Sequence, residues 1–88
     1  MNDDEIKKEF IRLFENLIET KDLKERSKLS DEIRSFATKV IEDKKTSGVE
    51  LKSKTLHESL EEFLNLPLYE DELLQIRSKR WLWNLKNE

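Results

Sequence analysis

The chain contains no cysteine, one glycine, one proline and one histidine in 88 residues. Without cysteine there is neither a disulfide nor a thiolate metal site, which fits a reducing compartment. One glycine and one proline exclude a turn-rich β architecture, because sandwiches and barrels need a turn signal about every 8–12 residues. Long apolar runs are missing too. The longest span only a few residues, against the ~20 that a membrane-crossing helix requires. The opening Met-Asn-Asp-Asp-Glu is acidic and lacks the basic, then apolar, layout of a signal peptide. The expected location is therefore the cytoplasm. A net charge of -3 gives no global attraction to nucleic acid.

What is present is charge and helix-forming residues. Charged side chains make up 42% of the chain and hydrophobic ones 35%. Such a balance suits disorder only when large apolar residues are few and unpatterned. Here Leu, Ile and Phe recur at helical intervals, among abundant Lys, Glu and Arg, most of which favour helices. The length bounds the chain to one domain, which on folding buries roughly 60–65% of the surface its unfolded form exposes. The expected fold is all-α, a small antiparallel three- or four-helix bundle.

Four helices are expected, over about 3–20, 22–45, 49–65 and 67–86. In the first, Ile6, Phe10, Leu13, Phe14, Leu17 and Ile18 form one apolar stripe, and Asn2 with Glu5 fits a capping box. The second carries Leu29, Ile33, Phe36, Ala37, Val40 and Ile41 on one face. Asp22 is its natural start, with Ser30 as a competitor that would leave 21–29 as a loop or a separate short helix. Lys44 and Lys45 suit its last turn, and Gly48 suits a left-handed terminator. The third presents Leu56, Leu60, Phe63 and Leu64, with Val49 in phase. Ser47…Glu50 and Thr55…Glu58 both have capping-box spacing, so its start near 48 competes with a start near 56. Pro67 ends this helix or begins the next.

The last segment has two apolar sides. Winding 67–86 at 100° per residue groups Leu74, Trp81 and Leu85, flanked by Leu73 and Leu82. Tyr69, Ile76 and Trp83 form a second line, spaced seven apart and roughly 160° around the helix from the first. Arg80 and Lys79 border that line, with Arg77 nearby. Two explanations compete with an interface. The helix could be central and use Trp83 to fill a gap, or its end could fray. The interface reading makes Tyr69, Ile76, Arg77, Lys79, Arg80 and Trp83 the partner-binding residues, since Trp, Tyr and Arg are the types enriched at binding hot spots.

Reactive chemistry is sparse. His57 stands alone at the margin of its apolar stripe, beside Glu58 and one turn from Glu61, which disfavours a phosphotransfer role. One histidine excludes the paired Glu-x-x-His units of di-iron bundles. There is no Gly-rich phosphate loop, EF-hand loop or nucleophile elbow. No catalytic residue, metal ligand or cofactor is expected, and the chain is expected not to be an enzyme. Its anticipated partner is another protein or a second copy. Small accessory subunits, inhibitors, antitoxins and immunity-type proteins are of this kind, and small four-helix immunity proteins match it in size and architecture, an analogy of fold alone. The alternative is a nucleic-acid-associated protein using Arg77, Lys79, Arg80 and Lys86 with the two tryptophans. Membrane-surface binding by the same helix is opposed by Glu70, Asp71 and Glu72 at its start.

Overall fold

Capping residues set the ends of the helices. The computed structural model describes residues 2–48, 50–66 and 71–88. Asn2 takes an extended conformation and its side chain accepts from the Glu5 N–H at 2.9 Å, which starts α1 (Asp3–Glu19). Asp3, Asp4 and Glu5 in the first turn add negative charge where the helix dipole favours it. Asp22 caps α2 (Leu23–Ser47), accepting from the Lys24 N–H. Residues 23–29 are thus helical, and Ser30 is a buried interior residue rather than a start. Gly48 ends the helix at φ 71°, a left-handed conformation that costs glycine little.

The third helix, α3 (Lys54–Asn65), departs from expectation at its start. It does not begin at 49, and neither Ser47 nor Thr55 caps it. Ser53 does, accepting from the Leu56 N–H at 3.1 Å. The reason is tertiary. The Lys52 N–H is held by the Asp3 carboxylate at 2.6 Å, and the Ser53 hydroxyl also donates to Glu88. These two contacts hold Lys52 and Ser53 outside the helix, with Ser53 extended and placed to cap. The last described helix is α4 (Asp71–Lys86). The expected corner at Pro67 and the first turn over 67–70 lie outside the described residues.

The described residues form four helices and no strand. They pack as a ring, α1 on α2, α2 on α3, α3 on α4 and α4 back on α1. Polar contacts fix the antiparallel sense. Asp3 at the start of α1 meets Lys44 at the end of α2 and Lys52 just before α3. Lys7 of α1 meets Glu88, just past α4, at 2.9 Å. At the other end, the Arg26 guanidinium donates to the Thr20 and Lys21 carbonyls and pairs with Asp71. Arg34 donates to the Leu64 and Leu66 carbonyls at 3.2 Å each and lies over the Phe63 ring. It thereby satisfies carbonyls that the end of α3 leaves without helical partners. The radius of gyration, 12.5 Å, is near the ~12 Å of a packed chain this long and far from the ~29 Å of an unfolded one.

The core takes one stripe from each helix. Ile6, Phe10, Leu13, Phe14 and Leu17 come from α1, and Ile33, Ala37 and Val40 from α2. Leu56, Leu60 and Phe63 come from α3, and Leu74, Trp81 and Leu85 from α4. Phe14 lies at the centre of an aromatic cluster, 6.0 Å from Phe63 and 5.7 Å from Trp81 between ring centroids. Phe63 and Trp81 meet edge to face at 5.7 Å. Such pairs add about 0.5–1.5 kcal/mol each beyond area burial. No described helix is long and apolar enough to cross a membrane.

Candidate protein-binding face

Helix α4 has its core stripe on one side only. Leu74, Ser78, Trp81 and Leu85 are buried, at the i, i+4, i+7, i+11 spacing that keeps side chains on one face. Gln75 fixes the helix to α1 by donating to the Leu17 carbonyl at 3.0 Å, and Lys86 pairs with Glu15 at 2.9 Å. On the α3 side, the Trp81 indole N–H donates to Glu62 at 2.8 Å. These contacts set the rotation of α4 about its own axis.

That rotation decides the fate of the second apolar line. Two residues beyond Trp81, the backbone has turned roughly 200°. Trp81 is 1% exposed and Trp83 is 65% exposed. Ile76, seven residues before Trp83, is 66% exposed. With Leu23 at the start of α2, these are the exposed large hydrophobic residues among those described. The gap-filling alternative for Trp83 therefore fails. So does the frayed end, because α4 runs to Lys86 and the Asn87 N–H still bonds the Trp83 carbonyl at 3.0 Å.

The cations divide between the face and its flank. Lys79 and Arg80 are exposed beside Ile76 and Trp83. Arg80 also bonds Glu62 at 3.1 Å, so one carboxylate joins the guanidinium to the Trp81 indole. Arg77 is half-buried and lines a groove of about 420 Å³ between α3 and α4 with Glu58, Glu61, Glu62 and Trp81. Tyr69, the remaining residue of the expected strip, lies outside the described residues.

Sequence reasoning on α4 alone missed Glu62. Its signal was weak, since a carboxylate on the outer side of α3 looks like any solvated charge. Only the packing of α3 on α4 brings it to Trp81 and Arg80. His57 is exposed, with its Nε2 3.0 Å from Glu61, a local pair within one helix.

Compared with protein-family models, curated proteins and solved structures, the chain matches none. The described residues define the class as an all-α bundle of four helices, with an aromatic residue and an aliphatic residue displayed, unburied, on the outer face of α4.

Proposed function

We propose that this chain is a non-catalytic protein-binding module that docks through the outward face of α4. The observation that carries the reading is the exposure of Trp83 and Ile76, two turns apart on one side of a helix whose other side is fully used in the core. An indole displayed beside guanidinium and ammonium groups has the composition of a binding hot spot. It supplies large rigid area, and the cations supply directed polar contacts at the rim.

In this reading Trp83 and Ile76 enter an apolar groove on a partner protein. Lys79 and Arg80 pair with carboxylates around it, and Arg77 contributes from the α3–α4 groove. Tyr69, the other residue of the expected strip, lies outside the described residues. An accessory subunit, an inhibitor, an antitoxin or an immunity-type protein would each use such a face. The nucleic-acid alternative is weaker, because Arg80 is already engaged by Glu62 and Arg77 lies among three glutamates. Those carboxylates would repel phosphates from the same surface.

Affinity purification from the native cell tests the proposal, with Trp83→Ala as the control. A partner retained by the parent chain and lost by a stably folded Trp83→Ala supports it. Equal recovery by both chains refutes docking through this face. Light scattering at micromolar concentration distinguishes a second copy as the occupant, and binding to nucleic acid that falls steeply with salt would select the alternative.

A further inference from the structure

The sequence scatters Lys44, Lys45, Lys52 and Lys54 across two helices and the segment between them. The fold brings all four to one cavity. It has a volume of about 550 Å³ and lies between the end of α2 and the start of α3, away from the α4 face. Ile41 and Leu51 supply apolar wall, and Gly48 lines it without a side chain. Glu50, Glu61 and His57 complete the lining.

The charge balance here is the reverse of the chain as a whole. The chain has 20 acidic residues against 17 basic ones, whereas the cavity gathers four lysines against two glutamates. One of those glutamates, Glu61, is paired with His57. Of the lysines, Lys44 is matched by Asp3 at 3.4 Å. Lys45, Lys52 and Lys54 form no ion pair among the described residues. Lysines gathered at one concavity without carboxylate partners give it a positive potential that favours a bound anion. Lysine ammonium groups are compact point charges and serve as phosphate ligands in that role. The apolar wall adds a preference for an anion with a hydrocarbon part.

We propose that the cavity between α2 and α3 is a binding site for a phosphate monoester attached to an apolar group, with Lys45, Lys52 and Lys54 holding the phosphate and Ile41 and Leu51 the apolar part. The site is independent of docking through α4. The phosphate could belong to a soluble metabolite or to a lipid headgroup, and the chemistry of recognition is the same.

Phenyl phosphate is the probe for the soluble source, read by amide chemical shifts in the full chain. Saturable shifts confined to residues around Gly48, Lys52, Lys54 and His57 are expected, with inorganic phosphate binding at least tenfold more weakly. The double variant Lys45→Gln, Lys54→Gln, shown to be helical by circular dichroism, is expected to lose at least tenfold in affinity. Sedimentation with phosphatidic acid vesicles, abolished by the same variant, would identify the phosphate as a lipid headgroup. Phenyl phosphate binding without such sedimentation would identify a soluble ester. The proposal is overturned if neither probe gives saturable binding. It is equally overturned if the shifts spread over Lys7, Lys8, Lys28 and Lys39, or if the double variant binds as tightly as the parent.

Discussion

The Trp81 indole N–H donates to Glu62 Oε2 at 2.8 Å, and that bond ties the largest side chain of the core to the rim of the candidate docking face. Glu62 also bonds Arg80, which is exposed beside Trp83. Core packing and surface chemistry on α4 therefore share one carboxylate. Glu62→Ala removes the acceptor of a buried donor and frees Arg80 together.

The two tryptophans should separate cleanly in a denaturation experiment. Trp81 is enclosed by Phe14 and Phe63, so Trp81→Ala is expected to cost about 3–5 kcal/mol, the range for aromatic truncation in cores. Trp83→Ala, on an exposed face, is expected to stay within about 0.5 kcal/mol of the parent. Urea midpoints for the two variants decide it. A large loss from Trp83→Ala would return that side chain to the core and remove the basis for docking.

Arg26 joins the end of α1 to the starts of α2 and α4. Its guanidinium serves two carbonyls and one carboxylate, with its side chain only 21% exposed. Arg26→Ala is expected to lose about 1.5–3 kcal/mol, as for hydrogen bonds to charged groups. Asp71→Asn should cost less, because both carbonyl bonds survive it. Chemical denaturation of the two variants should preserve this order.

Acid should weaken the end of the bundle where Asp3 and Glu88 sit. Burial alone would push the Asp3 carboxyl up, but bonds from the Lys52 N–H and Lys44, with the charge of Lys44, outweigh it and hold the carboxyl below the ordinary aspartate range. Glu88 is held low by the Ser53 hydroxyl first and by Lys7, against a smaller opposing effect of burial. A carboxyl with a depressed folded-state pKa binds protons more readily when unfolded. Its stabilisation is complete above the unfolded value, about 4, and is lost as pH falls through the folded one. Asp3→Asn should therefore be destabilising at pH 7 and should converge on the parent near pH 2. Urea midpoints measured between those limits should show the gap closing on acidification. A constant gap would mean that the Asp3 charge contributes nothing.

Ser78 is fully buried in α4, and among the described residues its hydroxyl has no hydrogen-bond partner. An unsatisfied buried hydroxyl is destabilising, and alanine is also the better helix former. Ser78→Ala is expected to raise stability by about 0.5–1 kcal/mol. A drop in thermal midpoint would show that the hydroxyl has a partner after all.

Much of α4 was legible before any coordinates, because a 3.6-residue period assigns side chains to faces by arithmetic. The opposition of Trp81 and Trp83 follows directly. The end of α2 was legible for a similar local reason, since Gly48 is the one residue there suited to a left-handed backbone. The start of α3 was not legible. Ser47, Ser53 and Thr55 are chemically near-equivalent caps, and the choice is made by Asp3 and Glu88, distant in sequence. The same limit hid Glu62 from the α4 face, Arg34 from the end of α3, and the convergence of four lysines on one cavity. Each depends on which helices are neighbours, and helical periodicity carries no information on that.

The partnership of α1 with α4 has a bearing on how the protein is made. Helix α1 precedes α4 in the chain, and the two pack directly on each other. Until residues 71–86 emerge, Phe14 and Leu17 lack one wall of their enclosure, and a nascent chain carries that side of the stripe open to water. The acids and lysines that crowd the rest of α1 keep such an intermediate hydrated while it waits.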